Sequence, residues 1–180
     1  MLRLARAGSN KRLIVLHRDR DYLTDEDAKK WEVEVRKLGV EPFLTQGVDV
    51  ESYLINAAHI HALNPQFEIK EVEEIISAVW IEHRNEQIKA FVNGRTNNER
   101  MFGRGAELNH GEIAVEASEY VHEKNVRYKH GKLLLKSIRG KFQQTGKGNI
   151  VSMKPTKFIQ VDALAEMAKK AFGKIKDKAS

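Results

Sequence analysis

The sequence predicts a mixed α/β fold, in which a small parallel strand-helix-strand unit is followed by a largely helical region. Three observations lead there. Leu13 to Leu16 is a continuous apolar tetrad that ends abruptly at His17-Arg18-Asp19, the pattern of a parallel strand buried on both faces. A second short apolar stretch, Val40 to Thr45, follows one helix-length segment later. From Val48 onward the apolar residues recur mostly at helical spacing.

Between the two strands, Thr24 can cap a helix, and Asp25, Glu26 and Asp27 suit its positive end. Trp31, Val35 and Leu38 share one face of that helix, and Gly39 supplies its stop. Pro42 places the second strand at an edge or marks its beginning. A strand, crossover helix and strand of this length form a right-handed unit with parallel, neighbouring strands, so their carboxyl ends lie side by side. Open parallel sheets bind ligands at that edge.

Further along, Val48 to Leu63 reads as a helix stopped by Asn64-Pro65. A longer helix runs from Ile69 to about Asn93, with Val72, Ile75, Ile76, Val79 and Trp80 as its core stripe. Asn93 to Asn98 reads as a polar break, Glu112 to Glu123 as a helix and Val126 to Tyr128 as a short strand. Gly131-Lys132 opens a helix through Phe142, and Thr145 to Asn149 is a loop. Ile150 to Met153 carries no decisive period, and Val161 to Phe172 is a final amphipathic helix. The chain therefore divides into an α/β unit over residues 1–62 and a helical extension over 63–180.

With 41% hydrophobic and 31% charged residues and three prolines, the balance is that of an ordered, soluble chain. The absence of cysteine excludes disulfides, thiolate zinc sites and a cysteine nucleophile. The apolar run of four near the N-terminus is too short for a signal or membrane segment, which predicts a cytoplasmic protein with no membrane partner. A net charge of +6 favours polyanionic partners, nucleic acid first among them. Much of the excess lies at Arg3, Arg6, Lys11 and Arg12 and at Lys169, Lys170, Lys174, Lys176 and Lys178, which also suits solubilising ends.

The chemistry concentrates where the strands end. Asp19 and Asp21 stand two apart at the mouth of the first strand, and Asp49 and Glu51 repeat the spacing just after the second. Neighbouring strands are about 4.8 Å apart, so both pairs can reach one or two ions. Oxygen-only ligands favour Mg²⁺ or Mn²⁺ over zinc. The alternative role for such acids is turn formation or helix capping, and Asp49 can cap the helix after it. Arg18 and Arg20 can steer phosphate or balance the acids. His59-x-His61 diverges on a helix and lacks a third ligand, which points to a structural or surface role.

The stretch LIVLHRDRDYLTDEDAKKW, followed by VDVESYLIN, resembles the TOPRIM module of the OLD family of ATP-dependent endonucleases. In that module a hydrophobic strand ends in Asp-x-Asp, and an acid-x-Glu-Asn-Tyr-Leu-Leu motif follows the next strand. Asp19 and Asp21 match the first motif. Asp49, Glu51, Tyr53 and Leu54 match the second, with Ser52 where Asn is usual. His130-Gly131-Lys132 is similar to the family's later Gly-Lys at a helix start, whose lysine belongs to the active site. The likeness covers residues 12–56 well and 126–140 weakly.

The resemblance implies a partial TOPRIM-like sheet and a Mg²⁺- or Mn²⁺-dependent DNA endonuclease. Asp19, Asp21, Asp49 and Glu51 would hold metal, and Lys132 would stabilise the transition state. The family's first strand and helix, which carry a further Glu, have no counterpart here, and neither Gly146-Lys147-Gly148 nor Gly131-Lys132-Leu133 completes a phosphate-binding loop. Both the Glu and the ATPase are therefore expected from an upstream domain or partner. The alternative is a truncated, non-catalytic TOPRIM module that binds DNA or a protein. A third class, a receiver-like phosphoryl-transfer domain, fits Arg20 and Tyr22-Leu23 only loosely.

Overall fold

The computed structural model describes residues 14–148, 150–159, 161, 164–167 and 169. The fold is mixed α/β and mostly helical, with one two-stranded parallel sheet. Strand β1 (Val15–Arg18) pairs with β2 (Glu41–Leu44), Val15 opposite Glu41 and Arg18 opposite Leu44. Helix α1 (Asp25–Lys37) connects them. The Thr24 hydroxyl accepts the Asp27 amide at 3.1 Å and donates to the Asp27 carboxylate at 2.8 Å. Asp27, 1% exposed, is also held by both terminal nitrogens of Arg104, at 3.1 and 2.7 Å. That pair locks the start of α1 onto the helical half, because losing Arg104 would strand the buried Asp27 charge. Gly39 ends the helix at φ +72, whereas Leu38 turns outward and is 70% exposed.

Among the described residues α1 is followed in order by α2 (Ala57–Leu63), α3 (Ile69–Glu82), α4 (Arg84–Met101), α5 (His110–His122) and α6 (Gly131–Gln144). Several expected elements take another form. The β1 residues were expected to be buried on both faces, but Ile14, Val15 and Leu16 are 41%, 37% and 38% exposed. The sheet has only two strands among the described residues, so β1 keeps an open edge. The single helix expected over Val48 to Leu63 is a 3-10 turn (Val50–Leu54) followed by α2. The split occurs because Asn56 takes an extended backbone and caps α2 by accepting the His59 amide at 3.0 Å.

The helix expected from Ile69 to Asn93 breaks earlier, at His83, and the expected break at Asn93 to Asn98 lies inside α4. Polar side chains there turn inward: Arg95, Thr96 and Asn98 are buried, and Arg95 reaches Glu116 at 3.0 Å. Gly94 fits because a Cβ would collide with the ring of Tyr22. Val126–Tyr128 is a 3-10 turn rather than a strand. Ile150 to Met153 has no regular structure, yet it is anchored: Val151 exchanges two hydrogen bonds of 2.7 Å with the Asn64 side chain. Of the expected last helix, Val161 has no regular structure, residues 164–167 and 169 are helical, and the rest lies outside the described residues, as do the basic residues named at both ends except Lys169.

Two apolar clusters hold the elements together. Ile55, Ile60 and Phe67 pack with Val72 and Val79 of α3 and with Leu134, Ile138 and Phe142 of α6. Tyr22 and Val48 pack with Phe91 of α4, Ile113 and Ala117 of α5, and Tyr128. Residues on both sides of position 62 thus share cores, which ties the sheet edge to α6. No helix among the described residues is long and apolar enough to cross a membrane.

Candidate active site

The site sits where β1 and β2 end together. Asp21 adopts φ +50, a left-handed conformation that Asp tolerates better than most residues, and its amide donates to the Val48 carbonyl at 2.8 Å. That bond ties the two acidic loops to each other. Asp19 reaches across them, accepting the Val50 amide at 3.2 Å. His17 Nε2 lies 3.4 Å from the same oxygen, with its ring stacked on Phe43.

Asp49 caps two helical starts at once. Its Oδ1 accepts the Ser52 amide at 3.0 Å, and its Oδ2 accepts the Lys132 amide at 3.0 Å. His130 Nδ1 stands 3.3 Å from Oδ2, too poorly aligned for a full hydrogen bond. Burial pushes the Asp49 carboxyl up, but His130 and the Lys132 and Ser52 amides outweigh it and hold the group below the usual carboxylate range. Gly131 makes this junction possible. A Cβ there would lie closer than 3.0 Å to Ser52 N, Asp49 Oδ1 and Glu51 C.

With α6 docked so tightly, Lys132 extends over the acids. Its Nζ is 3.5 Å from Asp19 Oδ2. Burial lowers the Lys132 pKa, but the carboxylates of Glu51, Asp19 and Asp49 prevail and hold it above the ordinary value. Asp21 is pushed up, first by burial and then by the like charge of Asp19 and Asp49, against Arg18 and Lys132. Glu51 Oε2 is buried with no hydrogen-bond partner among the described residues.

The four acids and Lys132 thus share one edge, but their tasks differ. Asp49, expected as a metal ligand, accepts an amide on each oxygen and is only 2% exposed, so here it serves as a cap at the base of the site. Asp19, Asp21 and Glu51 supply the hard oxygen donors that Mg²⁺ or Mn²⁺ prefers, and the partnerless Glu51 oxygen together with the repelled Asp21 carboxyl fits a cation. Among the described residues, however, no three His, Asp or Glu side chains are grouped closely enough to enclose an ion. Binding by this set therefore requires its side chains to draw together.

The flanking arginines have other attachments. Arg20 donates to Asp25 at 2.6 Å, Arg127 grips the same carboxylate at 2.9 and 2.5 Å, and the Arg20 side chain is only 16% exposed. Arg18 lies over the Trp31 ring at 5.8 Å. His59 is fully buried, with Nδ1 2.9 Å from the Thr156 hydroxyl and Nε2 3.0 Å from the Ser152 carbonyl, and His61 Nδ1 is 2.7 Å from the Phe67 carbonyl. Both histidines are structural.

Sequence reasoning missed His17 and the contact of His130 with Asp49. For His17 a signal existed, since residues 17 and 19 stand two apart at the end of the strand and so share one of its faces. No protein-family model matches this chain, and no curated protein or solved structure is significantly similar to it.

Proposed function

We propose that this edge is a TOPRIM-type catalytic centre that hydrolyses DNA phosphodiester bonds with Mg²⁺ or Mn²⁺, in the cytoplasm and alongside an ATPase domain or partner. The observation that carries the reading is the docking of Lys132, 113 residues from Asp19 in the chain, onto the acids at the strand ends. Asp19, Asp21 and Glu51 would hold the cation, which supplies charge neutralisation at the scissile phosphate and a more acidic water. Asp49 acts as a positioning residue: by capping α6 it aims both the helix start and Lys132 at the edge. Lysine is charged at neutral pH and the neighbouring carboxylates hold the Lys132 ammonium further in that form, so it can offset the extra negative charge on the phosphoryl oxygens.

Plasmid nicking with Mg²⁺ or Mn²⁺ tests the proposal. The wild type is expected to nick, Asp19→Ala/Asp21→Ala to lose activity, and Lys132→Ala to lose roughly 100-fold or more. Equal nicking by wild type and the double variant would refute it. A second reading, a non-catalytic module that binds DNA or a partner, draws support from the same contacts: Lys132 can serve as the resident counter-ion of an edge that closes without metal. DNA binding without cleavage under any divalent metal favours that reading.

A further inference from the structure

We propose that the groove along α6 binds the backbone of a single nucleic-acid strand and leads it to the acidic edge, an inference that rests on the phosphodiester reading above. Lys132, Lys136, Arg139 and Gln143 follow each other at steps of three and four residues, which aligns them on one helical face. With Glu51, Leu135, Gly140 and Met153 they line an open groove of about 510 Å³. That volume lies within the roughly 300–1,000 Å³ typical of ligand sites. At 1.5 Å rise per residue the cations extend about 10 Å along the helix, beginning at the acids.

Lys132 faces the acids, but the two cations beyond it are uncompensated, unlike those around the groove. Lys141 pairs with Glu82 at 2.8 Å and Lys147 with Glu71 at 2.7 Å. Among the described residues, Lys136 and Arg139 pair with no carboxylate. Arg139 is also fixed in place: its Nε and Nη2 donate to the Ser152 hydroxyl at 3.1 and 2.7 Å, and Ser152 is 2% exposed. A guanidinium held along one edge keeps Nη1 for an anion without losing side-chain freedom on binding. Leu135 and Met153 provide apolar wall for sugars. Among the described residues no aromatic ring lines the groove, so recognition would run through phosphates and tolerate any base sequence. An acidic peptide would instead end against Glu51 and Asp19, whereas a phosphodiester strand arrives where a cation would receive it.

The test is fluorescence anisotropy of the full chain with a short labelled single-stranded oligonucleotide in EDTA, across a salt series. Lys136→Gln/Arg139→Gln is expected to weaken binding at least ~10-fold at low salt and to flatten the log-log salt slope by about 1.4, near 0.7 per lost phosphate contact. Because Arg139 also holds Ser152, the exposed Lys136→Glu is the second variant, with a slope loss of at least ~0.7. Lys141→Gln/Lys147→Gln should bind like wild type. Unchanged affinity and slope in both groove variants overturns the proposal, as does equal loss in the control pair or equally effective competition by polyglutamate. Weakened binding in a protein that never nicks plasmid keeps the groove and removes the nuclease. Nicking that ignores Lys136→Glu keeps the nuclease and removes the groove.

Discussion

Gly131→Ala is the sharpest probe of the junction between α6 and the acidic edge, because space and helix propensity pull in opposite directions. In an unobstructed helical position Ala is better than Gly by up to about 1 kcal/mol. At position 131 the new Cβ would fall closer than 3.0 Å to the Ser52 amide nitrogen, Asp49 Oδ1 and the Glu51 carbonyl carbon, two of them backbone atoms that cannot rotate away. Overpacking of this kind costs about 1–3 kcal/mol. If α6 moves instead, Asp49 loses the Lys132 amide, a cap worth about 1 kcal/mol. With the propensity gain set against these costs, the net destabilisation is about 1–3 kcal/mol, which for a chain of this size lowers Tm by roughly 2–12 °C. Gly140 on the same helix is the control, since a Cβ there meets nothing within 4 Å. Gly140→Ala should be neutral or stabilising by up to about 1 kcal/mol. Urea unfolding followed by circular dichroism measures both. A Gly131→Ala midpoint equal to or above wild type, with an unchanged m-value, would refute the tight docking and with it the placement of Lys132.

Two acid-dependent effects of opposite sign accompany it. Asp49 is held below the usual range, so its contribution is present above the ordinary aspartate value of about 3.9 and is lost as pH falls through the lower folded value. Asp49→Asn presents an amide to the Lys132 N–H and should cost about 2–3 kcal/mol at pH 7, a gap that closes in acid; a gap independent of pH in urea titrations would contradict the capping role. Asp21 is pushed up, so its proton adds stability below about pH 4 that disappears as pH rises through the folded value. Asp21→Asn keeps a residue tolerant of positive φ and should raise stability at pH 7 in EDTA by a few tenths of a kcal/mol after solvent screening. Thermal scans at pH 3 and 7 check this, and a less stable variant at pH 7 in EDTA would show that Asp21 is not a repelled carboxyl.

The sequence by itself determined what depends on near neighbours. The Thr24 cap, the Gly39 stop and the parallel pairing of two short strands follow from local chemistry and from the limits on a crossover connection. The acid-x-acid pairs at the strand ends were legible for the same reason. Only the tertiary structure decided the rest. Asn93 to Asn98 looks like a break because Asn and Gly disfavour helix, yet Tyr22 needs the space at Gly94, Arg95 reaches Glu116 and Thr96 meets His110. No residue signals the turn at His83, where α3 must stop so that α4 can pack on α5. The exposure of Val15 and Leu16 depends on how many strands flank β1, two in all among the described residues, which four apolar letters do not encode. The meeting of Lys132 with Asp19 was expected only through the family resemblance of Gly131-Lys132, because a contact between such distant residues leaves no period in the chain, and it depends on a glycine small enough to let two backbones touch.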